Sequence, residues 1–247
     1  MNELTDILEG IQNTSSNKER TIVDELLKPG VLKERTLSPV QYHDNLMNGD
    51  VIIGYKFPSF LKKYWFSREI SQITKSSATH SAFYLDGKMA HARKKHDAVV
   101  LEDISDRKEE IFLVLRPTIS TKERADLEKR IRFYLDQPKE KRSYDYVGTV
   151  KYFLFKKFGL FNSYTKEKQK FFCSEFVAQC FQDIGIDLTR YADSSFISPK
   201  DILESPIMQF LYVIDGVYNG KKSKRTRDKP YYIMKQLKSI MGSFNTQ

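Results

Sequence analysis

Cysteine is nearly missing from this chain: its 247 residues include only Cys173 and Cys180. Both fall on one stretch of helical pattern, where a rise of about 1.5 Å per residue separates them by roughly 10 Å, too far for a bridge. A disulfide framework is therefore excluded, and two free thiols suit a reducing compartment. No apolar run reaches membrane-spanning length. The opening stretch "MNELTDILEG" lacks the basic and apolar regions of a signal peptide, so a cytoplasmic location is the expectation. There is no Gly-rich phosphate loop, no internal repeat and no long Pro/Gly-rich linker. Residues 41–220 are accordingly expected to form one domain with a sizeable core, preceded by a polar helical extension over 1–40 and followed by a basic tail over 221–247. Two strand histidines and a distant thiol make a poor zinc set, and neither a metal nor a cofactor is expected.

Charge is the composition's one excess, with a net +9 at neutral pH. Basic residues gather in "KKYW", "ARKKH", "KYFLFKKF" and above all "KKSKRTRDK". Such clusters suit an anionic membrane surface or an acidic substrate, and "SFLKKYWF" interleaves aromatics with lysines as an interfacial segment does. No zinc-finger or RRM signature accompanies them, so nucleic acid is not an expected partner.

The clearest helix lies in "FFCSEFVAQCFQDIG". Cys173, Phe176, Val177, Cys180, Phe181 and Ile184 recur at steps of three and four and share one apolar face, and Gly185 supplies the stop. Cys173 sits in the first turn, where backbone N–H groups and the helix dipole favour an anion and are available as oxyanion donors. Cys180, two turns on, reads as core. Far upstream, "HSAFYL" and "KMAHA" flank Asp86-Gly87, the signature of a two-residue type I′ hairpin turn. Pairing Leu85 with Lys88 puts His80 and His91 on one strand face as diagonal neighbours, with Cβ atoms about 7 Å apart or less. A thiol at a helix start and an imidazole that a second residue can orient are the parts of a nucleophile and its general base. His43 and His96 have no such geometry and are expected to face solvent. Glu102 and Asp103, ending the strand "AVVLED", read as a solvated strand end and are the fallback partners for His80.

The remaining pattern is that of an α+β domain. Strands are expected at Asp50–Tyr55, His80–Leu85, Met89–Ala92, Ala98–Leu101, Ile111–Leu115 and in "MQFLYVID", the first five forming an antiparallel sheet or half-barrel. A helix opens at Ser120 with Glu123 as its capping box, another begins in "SYDYVGTVKYFLFKKF", and a short one is capped by Ser198 and started by Pro199. Tyr144 and Tyr146 are read as core packing with hydroxyls at the rim.

Taken in order, Gly49-Asp50-Val51-Ile52-Ile53, "SREISQITKSSATHSAFYLDGKMAHA", Tyr144-Asp145-Tyr146, "FFCSEFV" and "SPKDILES" resemble the circularly permuted NlpC-type papain-like proteins, which include YiiX-like bacterial proteins and a poxvirus branch. In that family the histidine strand precedes the cysteine helix, as here. The resemblance covers roughly residues 48–215 and implies a permuted papain-like fold with Cys173 as nucleophile, His80 as base and His91 as third polar member. It also implies a substrate cleft near Tyr144, Tyr146 and Glu175. The expected activity is cysteine-dependent hydrolysis of a peptide, amide or acyl-lipid bond through an acyl-cysteine intermediate. The alternatives are acyl transfer at the same site and a non-catalytic basic module for anionic membranes. The tail offers one test. Binding to acidic vesicles should fall steeply with added salt and with charge removal at Lys221, Lys222, Lys224 and Arg225. Co-sedimentation at two salt concentrations measures it, and no binding at low salt leaves the cluster a solvated tail.

Overall fold

The two residues Asp86 and Gly87 take φ values of 49° and 80°, the left-handed pair that a type I′ turn requires and that matches the right-handed twist of its strands. The computed structural model describes residues 17–28, 34–37, 42–56, 76, 78–93, 96–106, 110–145, 170–188 and 197–215. Tyr146 and the basic cluster from Lys221 to Lys229 lie outside them. In chain order the strands are β1 (Thr36–Leu37), β2 (Val51–Lys56), β3 (Ala78–Leu85), β4 (Lys88–Arg93), β5 (Ala98–Asp103), β6 (Glu110–Pro117), β7 (Ser143–Tyr144), β8 (Lys170–Phe171) and β9 (Met208–Asp215). Seven of them make one sheet in the order β1-β9-β6-β2-β3-β4-β5, while β7 and β8 form a separate pair. Neighbours in the large sheet run antiparallel except β1, which lies parallel to β9. The fold is α+β, and each expected strand appears, most of them slightly longer than the pattern indicated.

Both faces of the sheet are buried, which is why its strands read as short apolar runs. Val51, Ile53, Phe83, Leu85, Leu113 and Leu115 contribute to the larger core, while Ile52, Ala82, Tyr84, Met89, Phe112 and Val114 contribute to a smaller one. The alternation of these residues along β2, β3 and β6 is the strand period of two.

Helices cover the larger core. Helix α1 (Asn17–Leu27) buries Ile22 and Leu26 there, and Lys18 Nζ donates to the carbonyls of Ser205 and Met208 at 2.5 and 2.7 Å. Residues 17–28 and 34–37 of the extension are thus woven into the domain, since β1 also pairs with Val213 and Ile214. A short helix α2 (Tyr42–Asn45) precedes β2. Helix α3 (Thr121–Asp136) is opened by the expected capping box: Ser120 Oγ accepts from the Glu123 N–H at 3.2 Å, and the Glu123 carboxylate accepts from the Ser120 N–H at 2.7 Å. Leu127 and Ile131 are buried, with Tyr134 and Leu135 packed partly buried against them. Burial and a hydrogen bond to Asp183 Oδ2 at 2.6 Å raise the Tyr134 hydroxyl far above its ordinary range.

Helix α4 (Cys173–Gln182) leaves no exposure on Phe176, Val177, Cys180 or Phe181, and each such apolar burial contributes about 1.5–3 kcal/mol. Phe176 and Phe181 meet Phe83 of β3 with ring centroids 5.8 and 5.7 Å apart. The helix closes with Gly185 at φ 81°, the Ile186 N–H reaching back to the Phe181 carbonyl at 3.0 Å, the left-handed closure that glycine permits. Helix α5 (Pro199–Glu204) has Ser198 as its cap and proline in its first turn. The expected helix at "SYDYVGTVKYFLFKKF" is corrected at its start: Ser143 and Tyr144 are extended and pair in parallel with Lys170 and Phe171. The Asp145 N–H continues that pairing to the Phe171 carbonyl at 3.0 Å, so long-range strand bonds override the local pattern, and the rest of the segment lies outside the described residues. No helix among the described residues is long and apolar enough to cross a membrane.

Asp50 is fully buried where β2 begins. Its carboxylate accepts from Arg116 Nε and Nη2 at 2.9 and 2.7 Å, from Arg124 Nη1 at 3.3 Å and from the Met47 N–H at 2.9 Å. One anion therefore ties β2 to β6 and to α3. Removing it strands two guanidiniums, and Asp50→Ala should cost about 3 kcal/mol in a urea unfolding curve. At the hairpin tip the Arg132 guanidinium, followed by the Asn48 amide, holds the Asp86 carboxyl below its ordinary range. A depressed carboxyl contributes stability above its unfolded value, and that contribution is lost as pH falls through the folded one. Asp86 is exposed, so the effect is small and screened by salt. A carbon-detected titration should place Asp86 below an ordinary aspartate, and Arg132→Ala should raise it.

Candidate functional site

The turn fixes the register of β3 on β4, with Leu85 opposite Lys88, Tyr84 opposite Met89 and Phe83 opposite Ala90. Continued along both strands, this register makes His80 and His91 diagonal neighbours. Their rings meet edge to face, with centroids 4.8 Å apart and planes at 74°, and His80 Nε2 lies 2.7 Å from His91 Nδ1. His91 has no exposure and His80 only 9 %. The pair has the strand parity of Ala82 and Met89. The pleat is irregular beside it: Gly54 pairs with His80 but Tyr55 pairs with Ala78, so Thr79 is skipped. A bulge of this kind bends its strand and re-aims the neighbouring side chain.

The chain of contacts continues to a carboxylate. Strand β5 sets Val100 opposite His91 and Glu102 opposite Met89, so Glu102 is again a diagonal neighbour. Its Oε2 lies 3.1 Å from His91 Nε2, and Arg93 Nη1 donates to the same oxygen. His96 Nε2 lies 2.8 Å from Oε1. The Glu102 side chain is 11 % exposed, which corrects its reading as a solvated strand end; Asp103 is exposed and fits that reading. His96 is likewise corrected: it is half-buried against Glu102 instead of facing solvent. His43 lies in α2, and its side chain is outside the described residues. The signal for Glu102 was the repeat of one interval, since it follows His91 by 11 residues just as His91 follows His80 by 11. The loop between β4 and β5 carries no two-residue turn signature from which that register is readable.

Cys173 is the first residue of α4, after Phe172 in extended conformation, and is 8 % exposed. The helix packs on β3 and β4, the strands that carry the two histidines. Two side chains fix its start. Ser174 Oγ donates to the Ile197 carbonyl at 2.6 Å, and the Glu175 carboxylate accepts from the Phe172 N–H at 3.2 Å. Glu175 has no exposure, and its carboxylate caps the helix start. Tyr144 is buried in the larger core, in keeping with its packing reading, and Tyr146 lies outside the described residues. Cys173 and Cys180 are both free thiols. Among the described residues no group of three or more His, Cys, Asp or Glu side chains is arranged to hold a metal ion.

Chemically, the line His80, His91, Glu102 can hold a proton at a defined ring atom and orient the outer imidazole. The start of α4 offers a thiol among backbone donors. No family model matches this chain, and no curated protein matches it.

Proposed function

We propose that the chain is a cysteine-dependent hydrolase of the permuted papain-like, NlpC-type class, cleaving an amide, peptide or acyl ester bond. The observation that carries this reading is the buried 2.7 Å contact between His80 and His91, on the two strands that α4 covers with Cys173 at its head. Each buried ring nitrogen needs a partner, and the two imidazoles supply one to each other. Cys173 Sγ attacks the carbonyl carbon while His80 takes the thiol proton, and the N–H groups at the helix start stabilise the oxyanion. The tetrahedral intermediate collapses as His80 returns the proton to the departing amine or alcohol, leaving an acyl-thioester. Water then attacks that thioester with His80 again as base, releasing the acid and regenerating the thiol. His91 orients His80 throughout.

The two cysteines test the reading against each other. A mild alkylating agent at slightly acid pH should label Cys173 much faster than Cys180, which is fully buried in mid-helix. His80→Ala should slow that labelling sharply and lower turnover by about 100- to 10,000-fold, the range of a lost general base. His91→Ala should cost less. Intact mass after exposure to a panel of acyl esters and peptide amides should show a thioester adduct that is absent in Cys173→Ala. Equal inertness of both thiols in the folded protein makes Cys173 a core residue and ends the hydrolase reading.

A further inference from the structure

We propose that Glu102 is a positioning residue that fixes where the histidine pair carries its protons: it holds His91 as the neutral Nε2–H tautomer, so that His91 Nδ1 accepts the Nε2–H of His80 and the basic lone pair of His80 stands on Nδ1. The catalytic consequence rests on the hydrolase reading above, whereas the tautomer assignment stands on the contacts alone.

Each contact along the line admits one hydrogen. An ionised carboxylate only accepts, so at the 3.1 Å contact the hydrogen belongs to His91 Nε2. The charge of Glu102 is already matched by Arg93, which donates to the same oxygen, while His96 Nε2 donates to Oε1 at 2.8 Å. His91 has no exposure, and burial disfavours the charged form of an imidazole. His91 is therefore neutral with its lone pair on Nδ1, and the hydrogen in the 2.7 Å contact comes from His80 Nε2. A neutral His80 that carries its hydrogen on Nε2 has Nδ1 as its base. The opposite order, with His91 as imidazolium donating on both sides, turns His80 Nε2 into an acceptor, puts its hydrogen on Nδ1 and leaves it no basic atom. Histidine orients a base weakly by itself, since either ring nitrogen can hold the hydrogen; a carboxylate behind it removes the choice.

Two-bond 1H–15N correlations on protein labelled with 15N-histidine, assigned by single histidine replacements, read both rings directly near neutral pH. The expected spectrum shows His91 protonated on Nε2 and unprotonated on Nδ1, and His80 protonated on Nε2. Glu102→Gln, whose amide can present either an acceptor or a donor, should give His91 a mixture of tautomers and slow iodoacetamide labelling of Cys173 by about 10- to 100-fold, the usual scale for an orienting partner. Glu102→Asp, which keeps the carboxylate, should recover part of that loss and the single tautomer. Wild-type His91 protonated on both nitrogens or on Nδ1 alone, or shifts unmoved in Glu102→Gln, overturns the assignment. If Glu102→Gln does not fold, the wild-type spectrum decides. The expected tautomers together with an inert Cys173 would leave the assignment standing and remove the hydrolase reading alone.

Discussion

The site depends on a two-residue turn. Asp86 and Gly87 both adopt positive φ, and a loop of two residues leaves one register for the strands it joins. That register puts His80 and His91 side by side; a slip of one residue would send the rings to opposite faces of the sheet. The turn is itself anchored. The Asn48 amide exchanges hydrogen bonds with the Asp86 side chain and backbone at 3.0 and 2.9 Å, and Arg132 reaches Asp86 from α3 at 2.7 Å. A contact at the tip thus restrains a geometry six residues back along β3 and four residues on along β4.

Two carboxylates organise the interior by the same physical means and to different ends. Asp50, just before β2, and Glu102, on β5, each have arginine as a partner. Such pairs are costly to break because the carboxylates are largely desolvated. Asp50 joins β2 to β6 and α3, and its own backbone carbonyl accepts from the Tyr84 N–H at 2.7 Å, so it also steadies the strand that carries His80. Glu102 instead meets two imidazoles, those of His91 and His96. Part of the chain's arginine content has this interior use, which a net charge does not reveal.

Helix α4 shows how one element serves packing and chemistry at once. Its body is locked by Phe176 and Phe181 against Phe83, and its end by the Gly185 closure. Its first turn is held by Glu175 beneath Phe172 and by Ser174 on Ile197. These two bonds anchor the backbone that carries Cys173.

Much of this was readable from local chemistry. The strands around Asp86-Gly87, the capping boxes at Ser120 and Ser198, the α4 face and the meeting of His80 with His91 follow from φ preferences, caps and the periods of two and 3.6, all set within a few residues. What escaped depends on distant partners. Ser143 and Tyr144 are extended because Lys170 and Phe171 lie beside them, which no local pattern records. Glu102 and His96 look like surface residues until β5 lies against β4. Sequence by itself determined most of the longer elements, their class and the histidine pair, because each rests on local dihedral and hydrogen-bonding preferences. Only the tertiary structure decided which charges are buried and what they face, because burial and pairing are properties of segments brought together from far apart in the chain.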